Sequence, residues 1–464
     1  MENYNILFIF SDQHRACDLN CYGNEQIISP NFDKLSRNSL HFFNCISNTP
    51  VCVPVRGSIL TGYHPNNHKA LTNDLPIDDK IKSIASILIE NNYHTGYIGK
   101  WHLGSIPRNR FIHKHERMGF QEWKVANCTH DYNNSYYFDE NNRYHKIKGY
   151  ESNYQTDLSI DFIERNYKSE KPWALYLSWG PPHNPYDTAP QKFKKLYENT
   201  NITLRENVKD SSIINVKENI RFNKTGIANS YKGYYSHITA LDFCLGRLIN
   251  KLEELNIFEN TLIVYTSDHG DLLGSHGYIN KQQPWYESIN VPLLISLPGK
   301  IYPGKTDEVI SLTDLPCTIL GMVGLKFEEK REGKDLHETM FDGNTFKGLE
   351  TAYINNSIPC HQALDAGIKE WYGIKTKEWS YVESLNFSDN KLFHDIKDKY
   401  QLNNLINNHE YSKIQSNLKN SLKNHMKQVN DELIPWKDVI KRQGLIDEWN
   451  SSQKWFQRPN QELI

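Results

Sequence analysis

The chain has 464 residues, with 53 Lys and Arg against 55 Asp and Glu for a formal net charge of −2, so it has no net basic field to hold nucleic acid. A mean hydropathy of −0.67 and a 38% hydrophobic content exclude a polytopic membrane protein. An aromatic content of 12% argues against disorder, and a chain of this length buries a large core without disulfide or zinc staples. The apolar run Ile6-Leu7-Phe8-Ile9-Phe10 predicts a buried first strand over 6–10. No basic residue precedes it, and it is too short for the apolar centre of an export signal. The expected location is therefore the cytoplasm, with no membrane partner. Helical patterns follow at 30–40 and 81–90, and an apolar stretch ends at Tyr97-Ile98. A strand is predicted over 173–178, then a polar, Asn-rich surface loop over 200–224. A long amphipathic helix is predicted over 230–255, where Tyr234, Ile238, Leu241, Leu245, Leu248, Leu252 and Leu255 recur at three- and four-residue steps. Strands at 261–266 and 291–295 and a helix at 313–323 complete the alternation. Buried strands alternating with amphipathic helices predict an α/β fold, with a large mixed, mostly parallel sheet sandwiched by helices. After about residue 370 come three short antiparallel strands (371–376, 379–383, 392–395) and a polar helix over 411–433. The expected division is a catalytic domain over 1–370 and a small C-terminal α+β subdomain over 371–464. Eight scattered cysteines form no disulfide framework and are expected as reduced thiols.

The most informative segment runs Cys52-Val53-Pro54-Val55-Arg56-Gly57-Ser58-Ile59-Leu60-Thr61-Gly62. Pro54 suits a first helical turn, where a missing N–H is harmless. Cys52 then stands at a helix N-terminus with its N–H groups and positive dipole end, and Arg56, one turn on, can reach back to the same spot. This suits a nucleophile facing an anionic substrate, though the same residues would also make an ordinary short helix with a buried cysteine. Ser11-Asp12-Gln13 and Ser267-Asp268-His269-Gly270 both follow predicted strands. Because sites in open α/β sheets sit at the strands' C-terminal ends, two remote segments can converge there. Their oxygens suit a hard cation, with His269 adding a nitrogen. In Gly99-Lys100-Trp101-His102-Leu103-Gly104, Lys100 and His102 alternate with Trp101 and share one side of an extended chain. The prolines of Gly180-Pro181-Pro182-His183-Asn184-Pro185-Tyr186 hold His183 in a rigid loop.

Cys-x-Pro-x-Arg followed by Leu60-Thr61-Gly62 resembles the sulfatase family, a branch of the alkaline phosphatase superfamily, and the likeness extends over most of the chain. The resemblance implies an alkaline phosphatase-like fold and hydrolysis of a sulfate monoester, of a saccharide or in vitro of an aryl sulfate. It implies that a separate maturation enzyme oxidises Cys52 to Cα-formylglycine, whose hydrate is the nucleophile. It further implies that Asp12, Gln13, Asp268 and His269, beside Cys52, hold Ca²⁺, with Mg²⁺ the alternative. Arg56 is implied to hold the diol, Lys100 and Lys281 to bind sulfate oxygens, His102 to handle the diol proton, and His183 to protonate the leaving alcohol. Val55 stands where many relatives carry Ser, and Gln13 where many carry a second Asp. A diol suits the reaction, because a serine would be left as a stable sulfoserine, whereas a second hydroxyl on the same carbon can expel sulfate and restore the aldehyde. Two alternatives stand beside this reading. One is a phosphonate monoester or phosphodiester hydrolase of the same superfamily; the other is a non-catalytic anion-binding protein with unmodified Cys52. The particular substrate and the oligomeric state are not legible in the sequence.

Overall fold

Strands that alternate with helices and are apolar on both faces must be covered on both faces, and the architecture follows from this. The computed structural model describes residues 4–215, 220–341, 346–458 and 461–463. In chain order its strands are β1 (Asn5–Asp12), β2 (Leu40–Ile46), β3 (His94–Lys100), β4 (Glu122–Ala126), β5 (Tyr136–Phe138), β6 (Tyr144–Lys146) and β7 (Trp173–Pro182). After these come β8 (Ser211–Asn215), β9 (Ile220–Asn223), β10 (Thr261–Ser267), β11 (Asn290–Ser296) and β12 (Gly304–Ser311). The last four are β13 (Ala352–Asn356), β14 (Trp371–Lys375), β15 (Trp379–Ser384) and β16 (Lys391–His394). Ten of them form one mixed sheet in the order β12-β2-β11-β10-β1-β7-β3-β4-β5-β6. Its centre, β10-β1-β7-β3-β4, is parallel throughout.

Alternation along β1 assigns its side chains to two cores. Ile6, Phe8 and Phe10 join Tyr97, Tyr176 and Val264 on one face, where the helices Cys52–Thr61, Ile84–Glu90 and Leu315–Met322 contribute Ile59, Leu88 and Ile319. Leu7 and Ile9 join Leu175, Leu177 and Ile263 on the other, under the helix Lys224–Glu254. Each aliphatic side chain fully buried in this way contributes about 2 kcal/mol relative to exposure. The predicted periodicity of the long helix holds: Tyr234, Ile238, Leu241, Leu245, Leu248 and Leu252 are all buried. Among the described residues no helix is long and apolar enough to cross a membrane.

Three expectations need correction. The 200–224 segment is not wholly loop, because β8 and β9 pair as an antiparallel hairpin; residues 216–219 of that stretch lie outside the described residues. The Asn- and Lys-rich composition there hides a short local pairing that needs no apolar alternation. The long helix starts at Lys224 rather than 230, where the Asn223 side chain accepts from the Gly226 N–H at 2.8 Å and caps it. The first helix ends at Ser36, because Leu40 already belongs to β2.

The C-terminal part carries the expected three strands, and the helix Ser412–Gln428 packs Leu418 and Leu422 on Tyr372, Ile374 and Tyr381. These strands form a four-stranded antiparallel sheet, β13-β14-β15-β16, whose edge strand β13 comes from ahead of residue 370. Two further helices, Trp436–Gln443 and Ile446–Trp455, seat Val439, Ile440 and Trp449 on Leu71 and Leu75, in the segment that follows the Cys52 helix. None of the eight cysteines is paired in a disulfide.

Candidate active site

Four adjacent parallel strands have their C-terminal ends on one edge of the sheet. β1 ends at Asp12, β3 at Lys100, β7 at Pro182 just before His183, and β10 at Ser267 just before Asp268. The strand order therefore brings together groups far apart in the chain, such as the Gln13 N–H and Asp268 Oδ1, 255 positions apart in sequence and 3.0 Å apart in space. Cys52 is the first residue of its helix and is only 1% exposed. Its Sγ lies 3.1 Å from His269 Nε2 and 3.7 Å from Asp12 Oδ1. Donor atoms of Asp12, Cys52, Asp268 and His269 all fall within 4.8 Å of one another, and all four residues are buried.

A cationic frame surrounds this cluster. Arg56 Nε donates to Asp268 Oδ2 at 3.0 Å and its Nη2 to Asp12 Oδ2 at 3.2 Å. Its Nη1 donates to the Lys100 carbonyl at 2.9 Å and to Ser178 Oγ at 2.8 Å. Every guanidinium nitrogen is thus engaged, and the fork fixes both carboxylates at once. Lys100 Nζ donates to Asp12 Oδ2 at 2.6 Å. Lys281 Nζ donates to Gln13 Oε1 and approaches His183 Nε2, both at 2.8 Å. Burial would raise the Asp12 carboxyl, but Lys100, His183, Arg56 and Lys281 outweigh it and hold it well below the usual carboxylate range. Burial and Asp12 also oppose ionisation of Cys52, yet Lys281, His269 and Lys100 bring its thiol below the ordinary value.

The histidines differ in what their hydrogen bonds fix. His269 Nδ1 faces the Gly270 carbonyl at 3.0 Å, which turns Nε2 into the cluster, and against the effect of burial the adjacent Asp268 raises its basicity above the usual histidine value. His183 Nδ1 faces the Asn184 carbonyl at 2.8 Å, which leaves Nε2 as the acceptor for Lys281. His102 has no partner on either buried ring nitrogen. Burial first, then Lys100, Arg108 and Arg56, depresses its basicity well below the usual histidine value. Gln13 and His102 both sit in the left-handed region, at φ 69° and 60°. Gln13 is held there by its N–H to Asp268 and by the Tyr234 hydroxyl, which donates to its carbonyl at 2.6 Å.

The donor set fits a divalent metal: two buried carboxylates and an imidazole nitrogen converge, with cations ready to balance the surplus charge. Gln13 stands slightly apart from it. Its Oε1 is taken by Lys281, and its Nε2 donates to Asp271 Oδ2 at 2.7 Å.

The structure thus brings every site residue named from the sequence to one place. It also adds residues that the sequence reading missed. Asp271 orients the Gln13 amide and accepts from the Tyr186 hydroxyl; its only signal was its position after Asp268-His269-Gly270. Asn73 Oδ1 accepts from the Val53 N–H at 3.1 Å and so caps the first turn of the Cys52 helix. His130 and Tyr132 lie against His183 and belong to a polar stretch without any motif. Tyr63 and His64, just past the Cys52 helix, line a separate cavity with Glu332 and Tyr353.

Fold and site together define a hydrolase of the alkaline phosphatase superfamily, with Cys52 at the start of a helix beside a buried cluster of two carboxylates and a histidine. The chain belongs to the sulfatase family: the family model "Sulfatase" matches residues 4–325, and "N-sulphoglucosamine sulphohydrolase, C-terminal" matches 274–428. It is a sulfuric ester hydrolase. An "Ulvan-active sulfatase" of Formosa agariphila is 32% identical over 435 residues, covering 92% of this chain and 82% of that protein. An "N-acetylglucosamine-6-O-sulfatase" of Bacteroides thetaiotaomicron is 26% identical over 512 residues, covering 95% of this chain and 89% of the relative. A solved structure in complex with its substrate, D-glucosamine-2-N,6-O-disulfate, superimposes with a TM-score of 0.82 at 22% identity, covering 93% of this chain and 98% of that one.

Proposed function

We propose that the chain hydrolyses the sulfate monoester of a saccharide to an alcohol and inorganic sulfate, with Cys52 converted to Cα-formylglycine and Ca²⁺ in the carboxylate cluster. The observation that carries this reading is the convergence of Cys52, Asp12, Asp268 and His269 inside a frame of Arg56, Lys100 and Lys281. The relatives that act on sulfated sugars support the saccharide class. The hydrated aldehyde supplies two hydroxyls on one carbon, one to take the sulfuryl group and one whose deprotonation releases it. Asp12, Asp268 and His269, with Gln13 alongside, would hold the cation, which would supply fixed positive charge at the sulfate.

The remaining work falls to side chains of the chain itself. Arg56 spans both carboxylates and keeps its own charge beside residue 52. Lys100 and Lys281 receive sulfate oxygens. Each cation about 4 Å from that charge contributes on the order of 4 kcal/mol at an effective dielectric near 20, and the array is in place before the reaction begins. His102, neutral and free at both nitrogens, accepts the proton that leaves the diol as sulfate departs. His183 Nε2, supplied by the adjacent Lys281, delivers the proton that the leaving alkoxide needs. Because Cys52 is buried, the maturation enzyme must reach it before the chain closes over it.

Two measurements test the reading. Intact-mass analysis of the peptide containing Cys52 should give a species lighter than the thiol, and Cys52→Ala should abolish sulfate ester turnover. An unmodified thiol in active enzyme, or full activity in the variant, refutes it. Parallel rates on sulfate, phosphate and phosphonate esters should favour sulfate.

A further inference from the structure

His130 lies against the catalytic-edge histidine His183 and has no role in that scheme. Beyond β3 and β4 the two chains continue side by side: the His102 N–H donates to the Asn127 carbonyl at 2.6 Å, and the Trp101 N–H to the Ala126 carbonyl at 2.9 Å. The segment that carries His130 therefore runs beside the one that carries His102. The His130 ring lies parallel to that of His183, with centroids 4.4 Å apart and 17° between planes. Its Nε2 is buried without a partner, while the residue as a whole is only partly buried. It thus stands at the boundary between the enclosed sulfate floor and the outside.

Positioning of His183 does not require this ring. Tyr132, two residues on and fully buried, donates its hydroxyl to the His183 carbonyl at 2.9 Å and so ties down that loop. Leaving a buried ring nitrogen unpaired is unfavourable unless something in the bound state pairs with it. Burial, followed by Lys100, keeps His130 neutral, so it offers one donor and one acceptor.

We infer that His130 determines specificity by hydrogen-bonding the sugar hydroxyl next to the sulfate ester while the stacked His183 serves the ester oxygen. Two stacked imidazoles 4.4 Å apart can serve neighbouring positions, as an ester oxygen and an adjacent hydroxyl on one sugar ring are. A simple aryl sulfate has no such hydroxyl. The inference rests on the sulfatase reading of the site.

The test uses full-length matured enzyme, with kcat/KM measured for 4-nitrophenyl sulfate and for a panel of monosulfated monosaccharides. His130→Phe keeps a ring on His183 but has no nitrogen, and His130→Gln keeps a donor and an acceptor. The ratio of saccharide to aryl sulfate kcat/KM should fall about tenfold to a hundredfold in His130→Phe and recover in part in His130→Gln. Removing the neighbouring hydroxyl from the best saccharide should lower wild-type kcat/KM by a similar factor and change His130→Phe little. An unchanged ratio in His130→Phe overturns the inference, as does an equal loss in both enzymes on removing that hydroxyl. Wild-type turnover of the aryl sulfate but of no saccharide also overturns it. A wild-type enzyme inactive on every sulfate ester instead refutes the functional reading beneath it.

Discussion

Replacing Glu151 with Gln should remove a pH-dependent loss of stability next to the active site. Glu151 opens the helix Glu151–Asn166 and is buried. It packs against Gly180, where any Cβ would collide with its carboxylate, and its N–H donates to the Tyr132 carbonyl at 2.8 Å. It therefore braces both the β7 end that leads to His183 and the tyrosine that ties His183 down. Burial pushes its carboxyl up from 4.5 to about 7, against the opposing pull of Lys100 and the Gly180 N–H. Below pH 4.5 the group is protonated in both folded and unfolded chains and contributes nothing to the pH dependence. Between 4.5 and about 7 the unfolded chain has released the proton that the folded chain still holds, so stability falls as pH rises. Above about 7 both states are ionised and the loss is complete, at roughly 3 kcal/mol for a displacement of this size. Gln has nearly the same shape and does not titrate. Urea unfolding of wild type and Glu151→Gln at about pH 5 and about pH 8.5 measures the difference. The variant should gain about 2.5 kcal/mol relative to wild type between the two conditions, since a small part of the loss is already present at pH 5. A stability gap that does not change with pH would show that the buried carboxyl is not held protonated, and the reasoning would fail.

Two further outcomes follow from the same geometry. Cys52→Ser should release at most about one alcohol per enzyme and then stall, because a sulfated serine has no second hydroxyl on its carbon to expel sulfate; sustained turnover by this variant, read from the burst phase with an aryl sulfate, would exclude the diol route. Removing divalent metal with a chelator should abolish turnover and lower Tm, and adding back Ca²⁺ should restore both. In the saturating range each tenfold rise in free Ca²⁺ should add about 1.4 kcal/mol of stability, whereas a Tm indifferent to Ca²⁺ would remove the metal from the cluster.

Much of the architecture could be read before any coordinates, because strands buried on both faces leave continuous apolar runs such as Ile6–Phe10 and a long helix repeats its apolar face from Tyr234 to Leu252. The short helices after Trp436 were not legible, since eight to ten residues carry too few apolar positions to set a period. Nor was β13, which belongs with β14 only because their backbones pair across the intervening residues.

The local chemistry is written in the chain. Pro54 and Arg56 make the helix that presents Cys52, and Asp12, Lys100, His183 and Asp268 each fall where a strand ends. Tertiary structure alone decides which charge meets which. The strand order β10-β1-β7-β3 sets Lys100 on Asp12, Arg56 across two carboxylates, and Lys281 between Gln13 and His183. It also lays His130, a residue with no motif around it, flat against His183. The reason is physical: helix and strand periods are set by neighbours a few residues away, whereas a pairing across two hundred positions exists only once separate strands lie side by side.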